Sequence, residues 1–133
     1  MDGKTHLMTG ILAGAGIVYL ESKIGVNVED LSNALFIGGC ALGSLIPDID
    51  IDTSTLGRFI PGWLFWEHRT ITHSIFFMLA CGLTGSILKI NSAINIGAMV
   101  GFVTHLILDS LTPMGLPYLL FPFITSKLYK NKR

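Results

Sequence analysis

His105 and Asp109 lie near the end of an apolar stretch, four residues apart, so a helix would carry both on one face. An imidazole and a carboxylate so placed can share one cation or a neighbouring pair of them. Asp48, Asp50 and Asp52 alternate with isoleucines, so in an extended segment all three carboxylates point one way. His68 and His73 are five apart, which a continuous helix would splay by about 140°. They reach one site only if a helix begins between them, with Thr70 or Thr72 as its N-cap. His6 completes the set of four histidines. Imidazole and carboxylate without a usable thiolate favour zinc, manganese or iron over soft-metal sites. Cys40 and Cys81 sit singly in apolar runs and read as small buried hydrophobes.

Taken one at a time, these elements have ordinary explanations. A His-x-x-x-Asp pair can be a helix-face hydrogen bond, and an aspartate triplet can be a solvated loop after Pro47. His6 alone is an unremarked interfacial residue. Their common location is what argues for chemistry, and that location follows from the elements that carry them.

The chain has 133 residues, which suits a single domain over 1–133. Half of the residues are hydrophobic, 14% are charged, and the mean hydropathy is +0.62. Soluble domains carry roughly 25% charged residues, so this composition is that of a membrane protein. The formal net charge is zero, which removes the electrostatic footprint of a nucleic-acid binder. Residues 7–20 and 31–47 carry no charge, and 70–88 and 90–108 contain one ionisable residue each, His73 and His105. Such runs are short for a span of roughly 20 residues and must borrow flanking residues or sit in a thinned bilayer. They are too long for single strands and lack barrel alternation, so they read as helices. Small residues recur at close-packing spacing: Gly10–Gly14, Ala13–Gly16, Gly38–Gly39–Gly43, Gly82–Gly85 and Gly97–Gly101. After Leu111, Pro113, Pro117 and Pro122 break the pattern, predicting a re-entrant or interfacial segment. The expected fold is all-α, a polytopic membrane helical bundle of about four transmembrane helices plus that short C-terminal segment.

With four spans, Lys4, Arg58, Arg69, Lys127, Lys130, Lys132 and Arg133 fall on one side, and Lys23 and Lys89 on the other. Seven against two places both termini in the cytoplasm. On that topology every histidine, together with Asp48, Asp50, Asp52 and Asp109, converges on the cytoplasmic face. Ionisable residues at helix ends in a membrane are costly and mark functional sites. Trp63, Phe65 and Trp66 read as an interfacial aromatic belt, and Glu67 beside His68 as a lesser candidate ligand or base.

The motifs now assemble in order. They are Thr5-His6 with Gly10, Leu45-Ile46-Pro47-Asp48-Ile49-Asp50, His68-Arg69-Thr70-Ile71-Thr72-His73-Ser74, and His105-Leu106-Ile107-Leu108-Asp109 with Thr112 and Gly115. This series resembles the YdjM-like family of bacterial and archaeal inner-membrane proteins, described as membrane-bound metal-dependent hydrolases. The likeness covers almost the whole chain; the family pattern often has Gly where this chain has Thr70. It implies a metal site built from His6, Asp48, His68, His73, His105 and Asp109. A remoter likeness joins such motifs to the zinc-dependent phospholipase C and P1 nuclease group, which has more ligands than are found here.

The expectation is therefore a hydrolase that uses a divalent metal, with zinc ahead of manganese or iron and one to three ions. Phosphoester hydrolysis on a membrane lipid or lipid-linked substrate is the specific reading. Asp48 would be a ligand or bridge and a base, and Asp50 a further ligand or the group that orients a histidine. Arg69 would clamp a phosphate, with Arg58 and Lys4 as weaker candidates. A transporter or flippase for a lipid phosphate or metal ion could use the same buried groups without bond cleavage, and a metal-stabilised structural membrane protein is a third class. A transporter should carry polar residues through to the opposite face. Here they stop at one side.

Overall fold

The computed structural model describes residues 3–26, 29–59, 70–113, 115–116 and 119–120. Within them the chain forms four α-helices and no strand: α1 (Gly3–Lys23), α2 (Asp30–Gly43), α3 (Ile75–Ile87) and α4 (Ser92–Ser110). Two short 3₁₀ segments, Pro47–Asp50 and Ile71–His73, lie at one end of the helices. The all-helical class holds.

Local sequence explains the boundaries. Asp30 in the first turn of α2 complements the helix dipole. Pro47, which has no N–H to donate, opens the 3₁₀ turn that follows α2. The side chain of Ser74 accepts the Phe77 N–H and caps α3. The cap of α3 is therefore Ser74, beyond both histidines of the His-Arg-Thr-Ile-Thr-His motif, while the 3₁₀ turn Ile71–His73 begins between them with Thr70 at its N-cap position but without a side-chain cap hydrogen bond. Asn91 accepts the Ala93 N–H and caps α4. Between α3 and α4 the tight turn puts Lys89 at φ 54°, so the two helices run antiparallel.

Helix α4 is central and packs on α1, α2 and α3, most extensively on α2. Glycines allow that approach. Beta-carbons at Gly39 and Gly43 would strike the Ile94 and Ala98 carbonyls, and at Gly97 and Gly101 the Phe36 and Cys40 carbonyls. Two Gly-x-x-x-Gly faces thus press against each other, the arrangement that close helix packing in lipid requires. Gly10 and Gly14 do the same for α1 against Cys40 and Ser44, and Gly82 meets Met99. Gly16 and Gly38, in contrast, face open space and hold no contact.

The interior is inverted relative to a water-soluble protein. Leu12, Leu20, Leu31, Leu79, Leu83 and Ile107 are among many large apolar side chains left exposed. Among the described residues the buried hydrophobes are only Cys40, Leu45, Ile49, Phe102 and Leu106, fewer than the buried polar side chains. An apolar outside around a polar centre suits a lipid environment. Segments Asp30–Asp50 and Ser92–Ser110 are long and apolar enough to cross a membrane, while Ile75–Ile87 is shorter. Most of the proline-rich C-terminal segment lies outside the described residues; of those described, Leu119 accepts the Ile75 N–H at 3.0 Å.

Candidate metal centre

Each helix delivers its part of the site to the same end of the bundle. His6 comes from the first turns of α1, His105 and Asp109 from the last turns of α4. Asp48 and Asp50 come from the 3₁₀ turn after α2, and His73 from the one before α3. All six are buried: His6, His73 and Asp109 are 1% exposed, His105 0%, Asp48 5% and Asp50 4%.

His105 is fixed first. Its Nδ1 lies 2.7 Å from the Ser44 carbonyl, which can only accept, so Nδ1 carries the proton. Nε2 is left with a lone pair aimed into the cluster. His73 is held in the same sense. Thr72 Oγ1 donates to Asp50 Oδ2 at 2.5 Å, so the hydroxyl is free to accept from His73 Nδ1, 3.1 Å away. Asp50 Oδ2 itself lies 3.5 Å from that nitrogen. The two Nε2 atoms then face one another across 3.2 Å.

Two carboxylates close the arrangement. Asp48 Oδ1 is 3.6 Å from His105 Nε2 and 3.9 Å from His73 Nε2. Asp109 Oδ2 is 3.6 Å from His105 Nε2 and 3.4 Å from His73 Nε2. A tetrahedral site with bonds of ~2.1 Å spaces its ligand atoms roughly 3.4 Å apart. The two Nε2 atoms lie 3.2 Å apart and 3.4–3.9 Å from each carboxylate oxygen, close to that spacing. Buried His/Asp groups here can hold a metal ion: His6, His105 and Asp109 form one triad, and Asp48, His73 and His105 another.

His6 stacks on His105, ring centroids 3.7 Å apart and planes within 16°. Its Nε2 lies 3.4 Å from Asp109 Oδ1, and neither ring nitrogen has a hydrogen bond among the described residues. A buried imidazole left so is uncommon in a folded protein. Asp109 thus turns one oxygen to His73 and His105 and the other to His6. The site fits a metal.

The extended reading of the aspartate triplet fails, for a simple reason. Residues 47–50 form a 3₁₀ turn of three residues per turn, so Asp48 and Asp50 diverge by about 120°. They clasp His73 from opposite sides, Asp48 toward Nε2 and Asp50 toward Nδ1. Asp50 therefore orients a histidine, and Asp52 is exposed beyond the turn. Ser54 ties the following loop back by donating to the Asp48 carbonyl, and Gly57 donates to Ser54 Oγ. Arg58 and Lys4 are exposed, and Arg58 bonds to the Ser54 and Thr53 carbonyls of its own loop. His68, Arg69, Glu67 and the aromatic trio Trp63, Phe65 and Trp66 lie outside the described residues. Sequence reasoning missed Ser44 and the orienting role of Thr72. Ser44 left no trace in the sequence, because it acts through its carbonyl, whereas Thr72 adjoins His73 and could have been suspected.

The sequence is 36% identical over 127 residues to the uncharacterized protein YvsG of Bacillus subtilis (strain 168), covering 92% of this chain and 74% of that one. No solved structure matches the chain. The YdjM inner membrane protein family matches residues 1–131, and the chain belongs to that family.

Proposed function

We propose that the protein is a membrane-bound metal-dependent hydrolase, a phosphoesterase that acts on a lipid or lipid-linked phosphoester at the cytoplasmic face. The observation that carries this reading is the pair of Nε2 atoms on His73 and His105, 3.2 Å apart with Asp48 and Asp109 beside them. A zinc-class divalent ion at such a site supplies a Lewis acid that polarises a phosphoryl oxygen and acidifies a water. His73, His105 and Asp109 would hold it, with Asp48 beside them and the remaining position left to a water or a phosphoryl oxygen. Thr72, Asp50 and the Ser44 carbonyl keep both imidazoles in the Nδ1–H form, so no proton blocks either Nε2. Asp48 takes the proton of the attacking water as general base. Arg69, adjacent to His68 in sequence, clamps the phosphate through its planar guanidinium.

The membrane setting supports a lipid substrate. A catalyst at the end of a bundle with an apolar exterior meets headgroups at the leaflet surface directly. Four spans with both termini cytoplasmic, as the basic residues indicate, put the cluster on the inner leaflet. Among the described residues the buried charged groups stop at this one end, which favours hydrolysis over transport across the bilayer.

The test is direct. Detergent-solubilised protein loaded with zinc or manganese is assayed against phospholipids, polyprenyl phosphates and a chromogenic phosphodiester. Chelator-sensitive product from one of them is expected. Bound metal with no product from any would replace hydrolase by transporter.

A further inference from the structure

His6 and His105 cannot share one ion. Their rings stack with centroids 3.7 Å apart and planes inclined by 16°. An imidazole binds a metal through a lone pair in the plane of its ring, at ~2.0–2.1 Å from the nitrogen. Planes stacked in this way do not meet within that reach of either ring. An ion in the plane of His105 therefore lies out of the plane of His6. The Ser44 carbonyl narrows the choice further, because His105 Nδ1 carries the proton and Nε2 holds the ring's one available lone pair. That nitrogen lies 3.2 Å from His73 Nε2 and 3.6 Å from both Asp48 Oδ1 and Asp109 Oδ2. The triads His6–His105–Asp109 and Asp48–His73–His105 thus compete for one atom, and His73 and its neighbours have it.

His6 then needs a partner of its own. It is 1% exposed, and neither of its ring nitrogens has a hydrogen bond among the described residues. Burying an imidazole in that condition is costly. Its Nε2 lies 3.4 Å from Asp109 Oδ1, the spacing of two ligand atoms around a tetrahedral ion. Asp109 Oδ2 instead faces His73 and His105, at 3.4 Å and 3.6 Å. The two oxygens of one carboxylate therefore address two different sets of nitrogens. The stack itself is held from both sides. A beta-carbon at Gly10, one turn after His6, would lie 2.7 Å from the Cys40 carbonyl and from Ser44 Oγ. Ser44 thus anchors α1 through that close approach and α4 through its carbonyl.

We infer that the cluster holds two divalent cations bridged by Asp109. One sits with His73, His105 and Asp109 Oδ2, the other with His6 Nε2 and Asp109 Oδ1. Each ion lies in the plane of its own imidazole, so their separation follows the 3.7 Å between the stacked rings. Two-metal hydrolytic sites set their ions about 3.5–4 Å apart. The inference rests on the metal-holding part of the proposed function and not on hydrolysis. The ion at His6 has fewer protein donors among the described residues, so it binds less tightly and leaves first. Its open positions suit an anionic oxygen shared with the other ion, the clamp that two-metal sites apply to phosphoesters.

Metal content and spin coupling of the full-length protein in detergent test this without any turnover. The probe is manganese, read by elemental analysis after dialysis and by electron paramagnetic resonance. Two ions per chain are expected, taken up in two steps. The doubly loaded protein should show an exchange-coupled spectrum and not the sum of two isolated manganese signals. His6→Phe keeps a stacked ring without a ligand nitrogen, and should bind one ion per chain and lose the coupling. One ion per chain in the parent would overturn the inference and return His6 to an ion pair with Asp109. Two uncoupled ions in the parent would also overturn it, whether or not the variant folds, by placing the second ion elsewhere. No bound metal would remove the metal-dependent reading as well. Two coupled ions without chelator-sensitive hydrolysis would leave the bridged pair standing and remove only the phosphoesterase reading.

Discussion

His105 reaches 61 residues back along the chain to bond the Ser44 carbonyl, at 2.7 Å. That oxygen lies just past the end of α2, where carbonyls lack an intrahelical partner. One contact therefore satisfies a helix end, locks α4 to α2 and sets the imidazole tautomer. The helix packing and the geometry of the His/Asp cluster are coupled at this point.

The purified protein should hold at least one zinc-class ion, and His105→Ala or Asp109→Ala should lower its content. Losing a direct ligand should cost at least the roughly 10–100-fold in affinity known for groups behind the ligands. Elemental analysis with a competing chelator reads the result. Unchanged stoichiometry in both variants would reduce the pair to a structural hydrogen bond.

Thr72→Val should weaken metal binding by roughly 10–100-fold although Thr72 faces no metal position. The substitution removes the hydroxyl that links His73 Nδ1 to Asp50. Thr72→Ser keeps the hydroxyl and should restore affinity. Equal affinities for the two variants would mean the hydroxyl does not orient His73.

Asp48→Asn should depress phosphoester turnover by roughly 10²–10⁴-fold, the range for a lost general base. Asn keeps the shape in a position held between Pro47 and the Ser54 brace, so helicity and melting should change little. Activity near the parent's level would take the base role away from Asp48.

Gly101→Val should lower metal content from a position that holds no ligand atom. A beta-carbon there meets the Cys40 carbonyl, so α4 must move away from α2. Overpacking costs about 1–3 kcal/mol, and it would shift His105 away from Ser44. Gly38→Val, on the open face of α2, is the control and should leave metal content unchanged.

Reporter fusions at both ends should be active only in the cytoplasm, as expected from seven basic residues on one side and two on the other. A periplasm-active reporter at either terminus would reverse the side on which the cluster sits.

The sequence by itself determined the helical class, because four apolar runs of near-uniform hydropathy have no strand period. It also singled out His6, Asp48, Asp50, His73, His105 and Asp109, which the structure buries together, since buried-type runs ending in His and Asp leave few other reasons for such costly groups. Local pattern went too far where the backbone had a tighter option: Asp48 and Asp50 alternate as in a strand, but Pro47 starts a 3₁₀ turn and separates them. The Gly39–Gly43 and Gly97–Gly101 faces were legible as packing surfaces, but not which would meet, and Gly38 and Gly16 carried the same spacing with no partner. Only the tertiary structure decided the roles within the cluster. Which nitrogen of a histidine keeps its lone pair depends on the acceptor beside the other nitrogen, and those acceptors, the Ser44 carbonyl and the Thr72 hydroxyl backed by Asp50, come from other segments. A spacing fixes which side chains share a helix face, whereas a tautomer and a ligand direction are set by contacts between helices.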